Sequence, residues 1–340
     1  MPLSGIGITP GAGAVYNELS ALTRRAFIPR VTTQIYYSTP TIMMLLGNAQ
    51  KVGGGVNQIT VPVQGNSMVQ GSWTSYSGTF NKPQVIPGVQ NAQYSVSYFT
   101  VPVPLVLGEA LIQSTEAVIP ILDVRMNDVY AVTAQQIGSA AFTNNSANPL
   151  MPQGLLDAYD NGSNINNYGG ISRTAAGNSF WQGQYYNAGG ANILNRATLA
   201  QYLIQITDNA GGEAPDMVIM SPSDYATLNS SFIGTEQNNL SPGSKYNMDT
   251  PVRSSFPNLD ISGVPFFLDH WCPKGTIIAI NSRYTAMYLS EDAPFAFSGF
   301  YSAIPLMQIA QIGVMILGYN IVCSKPSSGA IITNFTGGAF

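Results

Sequence analysis

The chain carries one histidine, His270, flanked by Asp269 and, two residues on, Cys272. A thiol, an imidazole and a carboxylate are the parts of hydrolytic catalysis, but that chemistry needs side chains that converge from separated positions. Residues one and two apart on an extended segment do not face each other, and Trp271-Cys272-Pro273-Lys274-Gly275 reads as a turn between two strands. No acid–base or nucleophile set converges elsewhere, so an enzyme is not expected. One histidine and two cysteines cannot build a zinc set without carboxylates. Asp157 and Asp160 precede Asn161-Gly162 in the manner of a calcium loop, yet the EF-hand spacing is missing, and a solvated turn is expected. Gly5-Ile6-Gly7 lacks a third glycine and a preceding strand, and Gly53-Gly54-Gly55 has no following helix, so neither cradles phosphate. No cofactor and no metal are expected.

Two further groups of residues point to contact rather than chemistry. Trp73, Tyr76 and Phe80 lie in an uncharged, Ser/Gly-rich excursion and fit either a carbohydrate platform or a subunit contact, with the contact favoured. Arg24-Arg25, the densest basic pair, and Lys82 beside the excursion join them as candidate contact residues. Cys272 and Cys323 read as small buried hydrophobes, with a single disulfide left open. Asn144, Asn229 and Asn334 match the glycosylation pattern, but MPLSGIGITPGAG has neither the basic nor the apolar part of a secretion signal, which makes them chance matches.

Composition says what kind of surface these residues sit on. Only 9% of residues are charged, against roughly 25% in an average soluble domain, and none is charged from 293 to 324. A free monomer keeps charges spread over its surface. A chain poor in charge but rich in Asn, Gln, Ser, Thr, Tyr and Gly suits a surface that is covered, most simply by further copies of itself. The net charge of −4 and the 13 scattered basic residues argue against a sequence-independent nucleic-acid clamp. With 45% hydrophobic residues there is ample core, and disorder of the body is excluded. The stretch 303–323 is long enough to raise a membrane span, but Pro305, Gln308, Gln311 and Asn320 favour buried strands.

The elements follow from periodicity. Residues 1–14 read as a flexible start, and Val15 to Phe27 as a helix ended by Pro29. Thr39-Pro40 reads as a break, and Ile42 to Leu46 as a short apolar plug. Asn57 to Gln64 and Gln84 to Leu107 read as two arms of one long β-hairpin that projects from the body; Pro102 and Pro104 place its second arm at an edge. Apolar residues at three- and four-residue steps predict a long helix from Glu116 to Phe142, with Pro120 in its first turn. The Asn/Gly/Tyr-rich span 144–195 reads as loops and turns. Asn195 predicts the cap of a helix stopped by Gly211-Gly212, Asp216 to Met220 a buried strand, and Ser221 the cap of a third helix. A polar loop, 230–257, and strands over 264–268, 276–280, 284–289, 295–301 and 308–322 complete an α+β chain without βαβ alternation or internal repeat.

This order resembles the major capsid (coat) protein of tailed double-stranded DNA bacteriophages, the Hong Kong-type capsid fold. The likeness covers nearly the whole chain. It is carried by Ser38-Thr39-Pro40-Thr41-Ile42 through Lys51-Val52-Gly53-Gly54-Gly55 to Val61-Pro62-Val63, similar to the family's arm-to-hairpin junction. Gly154-Leu155-Leu156-Asp157-Ala158, Asn161-Gly162 and Tyr168-Gly169-Gly170-Ile171-Ser172-Arg173 resemble the entry to its second lobe. Ser221-Pro222-Ser223-Asp224-Tyr225, Gly263-Val264-Pro265-Phe266-Phe267-Leu268-Asp269 and Asn281-Ser282-Arg283-Tyr284 follow in the family's order. The resemblance implies an N-terminal arm (1–47), an extended loop lying over a neighbour (48–108), a peripheral domain with its spine helix (109–149), an axial domain (150–283), and return strands of the peripheral domain (284–340) whose tail can rejoin the axial one. It also implies hexamers and pentamers closing into an icosahedral head around DNA, located in the virion after assembly in the bacterial cytoplasm, with portal and scaffolding or decoration proteins as partners and no membrane. Some members join subunits by a Lys–Asn isopeptide bond; Lys51 and Lys82 fall in or near the loop, but no pair and no catalytic glutamate is identified. An encapsulin-like compartment is the runner-up, and a β-rich carbohydrate-binding or adhesive protein, suggested by 159–187, a third reading.

Overall fold

The computed structural model describes residues 39–53, 55–65, 71, 73–78, 88–106, 121–145, 148–190, 194–233, 259–303 and 310–335. The expected helix at 15–27, the start of the long helix before 121, Pro120 and the loop 234–257 lie outside them. Helices and sheets are mixed along the chain, as the α+β reading expects.

Thr39-Pro40 starts an element rather than breaking one. The Thr39 hydroxyl accepts the Ile42 N–H at 3.4 Å, Pro40 takes the first turn, and α1 runs Pro40–Gly47. The apolar plug is thus a helix that buries Ile42 and Leu45. Strand β1 (Gln50–Val52) follows, then β2 (Gln58–Gln64) and β3 (Val89–Ser95), paired antiparallel from Gln58↔Ser95 to Gln64↔Val89. The hairpin is shorter than the sequence suggests. Its returning arm ends at Ser95, and β4 (Ser97–Val106) leaves to pair with β14 (Ala310–Cys323) from Ser97↔Tyr319 to Val106↔Ala310. The hairpin strands do not stand clear of the body either: Ile59, Val63, Ala92 and Tyr94 are buried on one face.

Helix α2 (Ile121–Ala141) packs Met126 and Val129 on Val101, Val103 and Met315. The five-stranded sheet places β4 along one edge of β14. On the other edge β12 (Thr285–Ser290) and β13 (Ala296–Ser302) run end to end, and β1 pairs parallel with β12.

The second sheet runs β7 (Gln184–Asn187), β15 (Ala330–Thr333), β11 (Thr276–Ile280), β8 (Met217–Met220), β10 (Val264–Leu268), β9 (Leu259–Ile261). Between β3 and it come α3 (Leu155–Ala158), the two-residue strands β5 (Asn167–Tyr168) and β6 (Ile171–Ser172), and a 3-10 turn, Ser179–Trp181. Helices α4 (Arg196–Asn209) and α5 (Pro222–Ile233) are capped as their sequences predict: the Asn195 side chain accepts from Thr198 N at 2.9 Å, and Ser221 Oγ from Asp224 N at 3.2 Å. This sheet is buried on both faces. Ile277 and Ala279 of β11, Val218 and Met220 of β8, and Ile332 of β15 face α4 and α5, while Ile278, Ile280, Ile219 and Ile331 face a core shared with the first sheet. Strands so placed read as continuous apolar runs, and Met217-Val218-Ile219-Met220 and Ile277-Ile278-Ala279-Ile280 are such runs.

Candidate functional site

The two sheets differ in what they leave uncovered. On β4, odd-numbered residues turn inward and Tyr98, Thr100, Pro102 and Pro104 are exposed. Register puts them beside Gly318, Ile316, Val314 and Ile312 of β14, and Tyr301 of β13 beside Ile312. Alternation makes these one face, opposite that covered by α2. Ile312, Val314 and Ile316 are half-buried and Tyr301 is exposed. No charged residue occurs anywhere on β4, β13 or β14. Glycine on β14 admits the rings of its neighbours: a Cβ on Gly318 would stand 2.9 Å from the Tyr98 ring, and one on Gly313 2.5 Å from Phe297. Pro102 and Pro104 sit on a strand that has only β14 as partner among the described residues, where missing N–H donors cost nothing.

The hairpin supplies the second exposed apolar feature. Trp73 and Tyr76 near its tip are as exposed as isolated residues, at 105% and 109%. Phe80, Lys82, Arg24 and Arg25 lie outside the described residues. Lys51 is exposed on β1. The base of the hairpin is fixed to the span 154–183: Gln93 N donates to the Gly169 carbonyl at 2.7 Å, the Gln90 side chain to Asn178 at 3.0 Å, and Tyr94 crosses Tyr168 edge-on at 5.3 Å.

That span is held by Arg173, whose role sequence reasoning missed. The guanidinium is fully buried and donates to four carbonyls: Ala158 at 2.6 Å, Asp157 at 2.8 Å, Trp181 at 3.1 Å and Ile165 at 3.3 Å. It lies over the Tyr168 ring at 4.8 Å. Burial lowers its pKa, opposed by the nearby Tyr168 and Asp160. Arg173 is the only charged residue between Asp160 and Arg196. A lone charge in a long uncharged stretch is a readable signal of a buried structural cation.

Asp157 and Asp160 are spent on backbone amides. Asp160 accepts from the N–H groups of Gly162 (2.9 Å), Asn164 (3.1 Å) and Ile165 (2.9 Å), and Asp157 from Asn145 (2.9 Å) and Gly154 (3.3 Å). Burial raises the Asp157 carboxyl to about 6. Asp269 and Cys272 are buried while His270 is exposed, and Asp269 binds the Thr41 hydroxyl and the Trp271 N–H. The three do not converge. Both cysteines are free and buried, and burial pushes both thiols up, away from reactivity. Among the described residues, no cluster of His, Cys, Asp or Glu could hold a metal, and no helix is long and apolar enough to cross a membrane; the stretch that raised the question is occupied largely by β14.

Solved structures give this arrangement a precedent. A chain of the cyanophage A-1(L) capsid asymmetric unit superposes with a TM-score of 0.72 at 14% identity, over 94% of this chain and 99% of that one. The chain has the Hong Kong-type phage capsid fold. A chain from Mycobacterium phage Bobi matches with a TM-score of 0.57 at 13% identity, covering 95% and 98%. The same capsid fold extends to the holo-SrpI encapsulin complex of Synechococcus elongatus, with a TM-score of 0.59 at 12% identity, covering 95% and 96%. No protein-family model and no curated protein matches the chain in sequence.

Proposed function

We infer that the chain is a structural major capsid protein, whose copies associate through the open sheet face and the hairpin to build a closed phage head. The observation that carries the reading is a face of three strands that carry no charged residue and have no cover among the described residues, on a chain with the capsid fold. A face of tyrosine, proline and aliphatic side chains gains free energy when it leaves water, at about 25 cal/mol per Å² of apolar area. Two copies pressing such faces together bring no like charges into contact, so many subunits can meet without electrostatic cost. A contact between two different patches repeats head-to-tail and closes into rings when the rotation permits. Hexamers and pentamers, enclosed double-stranded DNA and a place in the virion follow from this reading, with portal and scaffolding or decoration proteins as partners.

By the same reading, residues 48–108 form the extended loop over a neighbour, with Trp73, Tyr76, Phe80 and Lys82 near its tip. Arg24 and Arg25 belong to an N-terminal arm within 1–47. Residues 109–149 carry the spine helix of the peripheral domain, 150–283 the axial domain, and 284–340 the return strands. The role is structural: the polar groups of the site are consumed by backbone, not aimed at a substrate.

The likeness to an encapsulin supports a second reading, a protein compartment that encloses proteins instead of DNA. Sedimentation and negative-stain microscopy of the recombinant chain test the shared core of both. Closed particles or capsomers are expected, and a monodisperse monomer at high concentration overturns both. Nuclease-resistant DNA in particles from phage-producing cells then separates the phage head from the compartment.

A further inference from the structure

The joint between α2 and α3 contains a buried ionisable group that the assembly reading does not use. After α2 ends at Ala141, residues 142–145 and 148–154 lead into α3. Gly154 lies so close to the end of α2 that a Cβ there would stand 2.7–2.8 Å from the carbonyl oxygens of Ala140, Ala141 and Thr143. Asp157 fastens this turn from inside. One carboxyl oxygen accepts the N–H groups of Asn145 and Gly154; the other is buried with no hydrogen-bond partner among the described residues. As a carboxylate, the group therefore holds a buried charge with half its acceptors unused, an arrangement that favours the neutral form.

The neighbours do not cancel that charge. Arg173 donates to the main-chain carbonyl of Asp157, not to its carboxylate, and its charge lowers the carboxyl by less than burial raises it. Asp160, three residues on, adds like charge. The end of α2 and the turn after it bring no charged residue from 139 to 156. Strand β14, which packs on α3, also brings none, and burial keeps its Tyr319 and Cys323 protonated.

We propose that Asp157 makes the α2–α3 joint a proton-operated latch, tightened by acid and loosened as the carboxyl ionises. Protonation removes the buried charge and leaves the engaged oxygen able to accept both amides. Burial raises the carboxyl from 3.8 to about 6, so the stabilisation is complete below 3.8 and is lost as pH rises through about 6. A shift of this size changes the closing equilibrium roughly tenfold between pH 8 and pH 5.

Hydrogen exchange of the full chain, read by mass spectrometry and corrected for intrinsic exchange, tests the latch whether or not shells form. Protection over 142–157 is expected to rise roughly tenfold from pH 8 to pH 5. In D157N it should be flat between those values and as high as in acid. No change in the wild type, or the same change in D157N, overturns the proposal. If D157N does not fold, a carboxyl-labelled wild type followed by solid-state NMR decides. An aspartate resonance with a midpoint near 6 supports the latch, and midpoints below about 5 for every aspartate sink it.

Discussion

The glycine-rich span 154–183 and the open face of β4, β13 and β14 are both nearly free of charge, yet they treat polarity in opposite ways. In the span, every aspartate and the one arginine are turned inward onto backbone groups, and aromatic rings close over them: Tyr168 against Tyr94 and Arg173, Trp181 donating to the Tyr168 carbonyl at 2.9 Å. On the sheet, backbone groups are bonded chiefly by strand pairing, helped by Ser298, whose Oγ accepts from Val314 N at 3.0 Å, while Tyr98, Thr100 and Tyr301 stay exposed. Low charge has two causes in one molecule. In the span the charged groups are turned inward onto backbone, with one oxygen of Asp157 left over; on the sheet, exposed apolar side chains stay uncovered among the described residues.

The largest effect tests the first half of that contrast. Arg173→Met keeps the volume and removes the donors to four carbonyls. Buried acceptors left unpaired cost about 1–3 kcal/mol each, so a loss of more than about 3 kcal/mol is expected even without full additivity. Soluble yield and the denaturant midpoint measure it. A change within about 0.5 kcal/mol would show the staple to be dispensable, since such values belong to surface sites. Arg173→Lys should lie between, because an ammonium cannot span the same fork of acceptors.

What could be read beforehand divides along a similar line. The caps of α4 and α5 were legible because Asn195 and Ser221 act within three residues of themselves. The Thr39-Pro40 pair was misread, although a cap followed by proline is the same local chemistry; the helix after it is only eight residues and its apolar run masked the period. The end of the hairpin at Ser95 was not legible, because β4 chooses β14, more than two hundred residues away, over β2. The residues themselves did not mark β15 as a strand; only the resemblance let the tail rejoin the second lobe, and β15 lies between β7 and β11. Long-range pairing is decided by which face needs cover. That requirement does not exist until the other elements are in place. Trp73 and Tyr76 near the hairpin tip were legible as exposed, while Phe80 lies outside the described residues. The open sheet face was not, since a strand from 308 to 322 reads as uniformly apolar without saying which side stays bare.

Glycines sharpen the contrast at an intermediate scale. A Cβ on Gly183 would stand 2.2 Å from the Tyr159 carbonyl oxygen, a backbone atom that cannot step aside. On Gly318 it would meet the exposed ring of Tyr98. Gly183→Ala is expected toward the top of the roughly 1–3 kcal/mol range for overpacking and Gly318→Ala toward its bottom, because the Tyr98 ring can swing into solvent and only the Cβ of buried Ser290, 3.1 Å away, must yield. Thermal unfolding of the two variants side by side checks the order. Equal losses would mean that the open face is packed as tightly as the span, and the distinction between them would fail.

The smallest effect on folding should carry the largest effect on association. Thr100 and Tyr301 lie on the open face and are exposed, and neither side chain stands over a glycine of β14. Thr100→Glu and Tyr301→Glu should therefore change the unfolding midpoint by no more than about 0.5 kcal/mol, the usual span for surface substitutions. If the face is buried against another copy, each glutamate enters a contact that offers no described cation on these strands to pair with it. An unpaired charge then costs several kcal/mol at every interface, and that cost recurs around a ring. Sedimentation should show folded, unassembled protein for both variants, with Arg or Lys at the same positions behaving alike because the penalty comes from charge and not from its sign. Particles that form normally with two glutamates on this face would remove it from the interface and leave the hairpin as the remaining surface to test.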